Sequence, residues 1–151
     1  VGLTAVVAGC GEEGAASGAT VRIYVSAPLR GDEAEAGLRL CAEAREQASQ
    51  GKGGEKLELR VVCLDASGPG GNWTLAQVGA NARRATEDST AIAYLGEPDP
   101  RARKQSRPIV EAAEIAELGG FTGREAVAKV TAAIEDGDES EPRASVFDAL
   151  G

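Results

Sequence analysis

Three short β-rich runs, each followed by a stretch of helical periodicity, succeed one another within about ninety residues, and this alternation leaves few ways to fold. Val21-Arg22-Ile23-Tyr24-Val25 is the first run, ended by Ser26, Ala27 and Pro28. After Arg30-Gly31-Asp32, apolar positions Ala34, Leu38, Cys41, Ala44 and Ala48 recur at three- and four-residue steps, the spacing of one helix face; Gly51, Gly53 and Gly54 end it. Leu57 to Leu64 reads as a second strand, with Leu57, Leu59, Val61 and Cys63 on one side and its last residues apolar on both. The run from Asp65 to Asn72 is a loop. Thr74 and Gln77 then make a capping box, with Trp73 stapled onto Val78, and Leu75, Val78, Ala82 and Ala85 line the next helix. Ala91 to Leu95 is the third strand, closed by Gly96; Asp99 is an N-cap and Pro100 a first helical residue. Pro108 should kink or interrupt that third helix. Repeated βαβ units with right-handed crossovers predict an α/β fold of three layers: a parallel sheet of order 2-1-3 flanked by helices.

After Ile115 the pattern changes. Gly119-Gly120 breaks the chain, and Thr122 with Glu125 forms a second capping box, with Phe121 and Ala126 as its staple pair. Val127, Val130 and Ile134 form a helical stripe ended by Gly137; Val146, Phe147 and Leu150 suggest a last short helix. No further strand is expected, so three strands would leave two open edges. The chain divides into 1–20, 21–118 as the α/β lobe, and 119–151 as a helical segment.

Its 151 residues suffice for one core. Aromatics make up only 3% of the chain, so that core must rest on Val, Leu, Ile and Ala. Sixteen basic against twenty-four acidic side chains give a net charge of −8, a field that repels phosphate backbones and argues against nucleic-acid partners. There is no histidine, which removes the commonest acid–base group and metal ligand.

The first residues are apolar and small, and Val7-Ala8-Gly9-Cys10 resembles a bacterial lipobox, with Gly11 to Ala19 following as a flexible tether. Since the chain begins at Val1, an upstream piece is expected. The resemblance implies lipidation of Cys10, export, and attachment to the membrane through a lipid anchor alone. The alternative is a chance cysteine after an apolar start. Cys41 and Cys63 lie on neighbouring elements and are readable either as a disulfide or as two buried thiols.

Catalytic signatures are lacking. The glycines at 68–71 precede no helix-start lysine, and Ser26, Ser67 and Ser106 have no histidine to activate them. No metal site or cofactor is expected, and no enzyme. Asp65, Glu97 and Asp99 cluster after strands two and three and read as solvated loop acids, or else as the source of a carboxylate pair. Arg101, Arg103, Lys104 and Arg107 read as a solvated helix face, or else as a holder of carboxylate or phosphate. Position says more than residue type: in open parallel sheets, ligands sit beyond the carboxyl ends of the strands, here 26–31, 65–73 and 96–103.

The residues from Val21 to Gly31, Leu64-Asp65-Ala66-Ser67-Gly68, Asn81 to Ala85, Ala93-Tyr94-Leu95-Gly96 and Ser106-Arg107-Pro108-Ile109 together resemble type I periplasmic binding proteins, the leucine/isoleucine/valine group of ABC importers. The likeness is collinear from about Val21 to Ile115. It implies a half-lobe that closes with a second lobe on an amino acid or related small molecule and docks on a membrane permease, without metal or cofactor. The implied ligand residues are Ser26, Leu29, Asp65, Trp73, Gly96, Ala102 and Arg103. Two departures stand out. Pro100 and Ala102-Arg103 occupy positions where the family places small hydroxyl residues, so the ligand site reads as partly degenerate. The segment from Gly123 resembles a piece from near the family's C-terminus, joined directly after Ile115. These departures keep open an alternative: a non-binding remnant or interaction module that oligomerises through open sheet edges.

Overall fold

A computed structural model describes residues 19–50 and 56–151. The lipobox, most of the tether and the glycines at 51–54 lie outside the described residues.

Among the described residues four strands form one sheet. β1 (Ala19–Ala27), β2 (Leu57–Asp65), β3 (Ala91–Leu95) and β4 (Ala116–Glu117) lie in the order β2-β1-β3-β4, every neighbouring pair parallel. The expected order 2-1-3 is therefore present, extended by a strand that the sequence did not announce. β4 is two residues long, and one of them is Glu117, so neither alternation nor an apolar run could reveal it.

Among the described residues five helices cover the sheet: α1 (Ala34–Gln50), α2 (Leu75–Glu87), α3 (Pro100–Ala112), α4 (Gly123–Asp136) and α5 (Pro142–Leu150). The pleat sends alternate β1 residues to opposite faces. Val21, Ile23 and Val25 join Val127, Val130, Ile134 and Val146 in a core beneath α1, α4 and α5. Tyr24 points the other way, packing with Tyr94, Ala82, Ala85 and Val110 beneath α2 and α3. A register shift in the β1–β3 ladder, between Arg22 paired with Ala91 and Ile23 paired with Ala93, leaves Ile92 out of step.

The helix faces are set by small residues more than by large ones. α1 buries Gly37, Cys41 and Ala44, whereas Leu38, expected on its stripe, is 52% exposed. The shift follows from close packing. A Cβ on Gly37 would strike the Pro28 carbonyl, and one on Gly123 would strike the α1 backbone at Leu40 and Ala44. Leu75 likewise faces solvent at the start of α2, which buries Val78, Gly79, Asn81, Ala82 and Ala85.

Thr122 and Glu125 make the full reciprocal capping box on α4, and Thr74 caps α2 by accepting from the Gln77 amide at 3.2 Å. Phe121 is exposed, with the Lys129 ammonium 4.9 Å from its ring centroid, so it is not the buried staple expected. α3 runs on through Pro108. That residue and Lys104, whose carbonyl a proline four residues on cannot serve, are both on the exposed side, while Ala102, Ser106 and Val110 hold the buried side. Cys41 and Cys63 form a disulfide with Cα atoms 6.1 Å apart, tying α1 to the edge strand β2. This resolves the choice that spacing alone left open.

Candidate functional site

The parallel sheet puts the carboxyl ends of β1, β2 and β3 on one rim, and the three loops that leave them are tied together there. Asp65, the last residue of β2, accepts from the amides of Leu29 (3.0 Å) and Ser67 (2.8 Å) and from Arg30 Nε (2.6 Å). Partial burial works to raise its carboxyl, but the Leu29 and Ser67 amides, with the Ser67 and Arg30 side chains, outweigh it and bring it down to about 2. Gly31 and Gly71 press these two loops together. Both have positive φ (78° and 85°), and a Cβ on Gly31 would overlap the Gly71 Cα. The second loop reaches the third through Trp73, whose indole Nε1 donates to Asp99 Oδ2 at 3.0 Å. Asp99 also caps α3, accepting from the Arg101 amide at 2.8 Å and from its guanidinium at 2.7 Å.

A cleft of about 370 Å³ opens on this rim between the starts of α1 and α3, with Pro28, Asp32, Arg39, Trp73 and Pro98 among its walls. It adjoins a second of about 390 Å³ that shares Arg39 and Pro98 and adds Gly96, Arg103, Gly120 and Phe121. The first cleft also carries Glu33, Glu35 and Asp99, so its wall is acidic, and its Arg39 is already paired with Glu35 at 2.9 Å; the apolar surface comes from Trp73 and the prolines.

Beneath the clefts lies a buried polar layer. Asn81 Nδ2 donates to Ser26 Oγ at 3.0 Å; Tyr94 OH donates to Glu97 Oε1 at 3.1 Å and Ser106 Oγ to Glu97 Oε2 at 3.0 Å. Tyr94, Ser26, Ser106 and Glu97 are fully buried. Burial, reinforced by the negative charge of Glu97, pushes the Tyr94 phenol well up. Glu97 is therefore not the solvated loop acid that an acidic composition suggested. Its carboxylate is held by hydroxyls donated from β3 and α3.

The basic stretch of α3 is also more engaged than a solvated face. Arg103 Nη1 donates to the carbonyls of Glu97 (2.8 Å) and Pro98 (3.0 Å), and Arg107 Nη2 pairs with Glu117 Oε2 at 3.0 Å. Arg101 pairs with Asp99 but stays 78% exposed. Among the described residues, Glu117 Oε1 is a buried polar atom with no hydrogen-bond partner. Desolvation raises the Glu117 carboxyl against the opposing pull of Arg107 and Arg103.

The residues singled out from sequence fall into two groups. Trp73, Gly96 and Arg103 line the clefts. Ser26 and Ala102 are fully buried behind them, Ala102 packing with Ala66 and Val78, and Asp65 with the Leu29 amide serves as a loop fastener. Pro28 and Pro98 lie in the segments 26–31 and 96–103 expected at the ligand rim though not singled out, whereas Arg39, on α1, was missed and carries no sequence signal for the role. Among the described residues no group of three or more His, Cys, Asp or Glu is placed to hold a metal ion, and no helix is long and apolar enough to cross a membrane.

Solved structures share this architecture. A leucine-binding protein from Thermotoga maritima matches at 24% identity with a TM-score of 0.52, over 66% of this chain and 27% of that one. A possible leucine/isoleucine/valine-binding protein from Rhodopirellula baltica matches at 23% identity and TM-score 0.57, over 76% and 30%. An ABC transporter substrate-binding protein from Sphaerobacter thermophilus matches at 22% and 0.52, over 66% and 26%. The fold is that of a periplasmic-binding-protein-like lobe. At these identities the likeness concerns the fold, and the chain spans 26 to 30% of the length of those proteins. No protein-family model matches the sequence, and no curated protein does. In a periplasmic-binding-protein-like lobe of this topology, the rim bearing Trp73, Gly96 and Arg103 is the carboxyl end of the sheet, where open α/β folds take their ligands.

Proposed function

We propose that the protein is an exported solute-binding lipoprotein of the branched-chain amino-acid ABC-importer type, anchored through Cys10, that presents a small-molecule cleft on the carboxyl rim of its sheet and works with a membrane permease rather than as an enzyme. The observation that carries this reading is the paired cleft itself. Trp73 and Pro98 supply apolar walls, and Arg103 in the second cleft supplies a cation for a ligand carboxylate, whereas Arg39 is engaged by Glu35 at 2.9 Å. The named solute-binding proteins that share the fold support it. Ser26 and Ala102, being buried, would shape the floor; Leu29 and Asp65 would hold the rim; Gly96 would let a ligand approach the backbone.

The test is a thermal-shift panel of the common amino acids, their amides and short organic acids. Saturable stabilisation by a member of the panel is expected, and no shift with any compound rejects the reading. One observation favours a second reading, an interaction module: β2 runs for nine residues along an edge with no neighbour among the described residues. A dimer or larger assembly by light scattering, without ligand binding, would support it.

A further inference from the structure

The edge of a sheet exposes backbone amides and carbonyls, and folded chains ordinarily guard it with a short strand, a proline, a bulge or a lysine. β4 is guarded by being two residues long. β2 has none of these guards. It runs nine residues, from Leu57 to Asp65, with no proline and no lysine. Its ladder with β1 keeps one register, from Ala19 with Leu57 through Ala27 with Asp65, without a bulge. No described strand lies beyond it. Leu57, Leu59 and Val61 pack against the core beneath α1, yet each stays partly exposed where the sheet stops.

The charges on this strand are self-complementary. Glu58 and Arg60 are both more than half exposed and pair with each other at 3.0 Å. Within the chain Arg60 stands beside Arg22, a like charge, and Glu58 beside Thr20. An acid and a base two positions apart are met in reverse order by an antiparallel copy, so each can face its opposite. Parity narrows the choice. Backbone groups aimed outward recur at every second residue, so two β2 strands can bond only in registers that step by two. One such register sets Glu58 opposite Arg60, Leu59 opposite Leu59 and Leu57 opposite Val61, closing the half-covered apolar row of each copy against that of the other. The registers on either side set Glu58 against Glu58 or Arg60 against Arg60, and like charges directly opposite are destabilising.

We propose that β2 is a self-pairing edge: two copies of this chain join antiparallel along it, Glu58 of each opposite Arg60 of the other, with the two Leu59 residues meeting at the two-fold axis. This rests on the interaction-module reading above and names its partner and its register. Antiparallel strands send the two carboxyl rims to opposite ends of the pair, so neither cleft is covered and both stay open to a solute.

The experiment is sedimentation equilibrium of the full chain across a concentration series, on the wild type, Glu58→Arg, Arg60→Glu and the double exchange Glu58→Arg/Arg60→Glu. A reversible wild-type dimer is expected. Each single reversal should weaken it about tenfold, because the two-fold axis repeats every repulsive contact, and the double exchange should return it to within about threefold of wild type. Both side chains are exposed, so all four proteins should unfold at similar temperatures. Hydrogen exchange locates the contact: amides from Leu57 to Val61 should slow in the dimer relative to the dilute chain. A wild-type chain that stays monomeric overturns both this proposal and the interaction-module reading. A dimer that neither single reversal weakens, or that exchange places away from β2, leaves an interaction module but overturns pairing along β2. Loss in the single variants without recovery in the double exchange overturns the register, and with it the proposal.

Discussion

The indole of Trp73 donates to Asp99 Oδ2 at 3.0 Å, joining the loop after β2 to the N-cap of α3. One side chain thereby couples the wall of the cleft to a helix start. Trp73→Phe keeps the apolar wall but removes the donor, and should lower stability by about 1 kcal/mol, the usual net worth of such a bond. Urea unfolding of the two proteins measures it directly. Because this is the chain's single tryptophan, its emission should also respond to any ligand that enters the cleft.

Asp65 gives the fold a defined acid sensitivity. Its folded value of about 2 lies below the ordinary 3.8, so its contribution is complete above pH 4 and is lost as pH falls toward 2. At neutral pH that contribution is about 2 kcal/mol. Asp65→Asn should lower stability at pH 7 and flatten the dependence between pH 4 and pH 2. Equal acid slopes for the two proteins would show that Asp65 is not the titrating group.

Glu97 anchors hydroxyls from β3 and α3 in a fully buried setting. Glu97→Ala would leave the Tyr94 phenol and the Ser106 hydroxyl without that acceptor and open a cavity. A loss of about 2–4 kcal/mol in chemical denaturation is expected. A change under 0.5 kcal/mol would mean the buried layer relaxes onto other partners.

The disulfide closes a loop spanning 22 positions, for which chain-entropy arguments give about 3 kcal/mol. Reduction, or the Cys41→Ser/Cys63→Ser double variant, should lower the unfolding free energy by that order. Alkylation of the denatured, unreduced chain should modify at most one of its three cysteines. Labelling of all three would exclude the bond.

Gly31→Ala should cost about 1–3 kcal/mol, since a methyl there meets the Gly71 backbone and φ is 78°. Gly70→Ala, with open space around its Cβ position, is the control and should change stability little. Thermal unfolding of the pair tests whether the two-glycine contact is needed at the cleft margin.

Elements whose pattern is local were legible in the sequence. β3 has the limits its apolar run implies, and the Thr74 and Thr122 caps are where their side chains can reach the free amides. What was not legible depends on partners distant in the chain. Leu38 and Leu75 fit a helical stripe by period, but α1 approaches its neighbours through Gly37 and Ala44, and period alone cannot tell which small residue will permit the closest approach. Glu97 looked like one more loop acid in an acidic chain, and Glu117 carried no signal of its own. Only the fold brings Tyr94 and Ser106 to one and Arg107 to the other. For the candidate site the rim was predictable from topology, whereas its walls were half-found: Trp73, Gly96 and Arg103 face the clefts, while Ser26 and Ala102 pack beneath.

The Cys41–Cys63 bond sits where a sheet is weakest. An outermost strand bonded to one neighbour is ordinarily the first to fray, exchanging its amide hydrogens before the interior does. Here that strand is riveted near its carboxyl end to the helix above it, so its Cys63 end should exchange slowly and its Leu57 end fast. A covalent clamp close to the rim keeps the mouth of the molecule in shape while the opposite margin of the sheet is left to breathe.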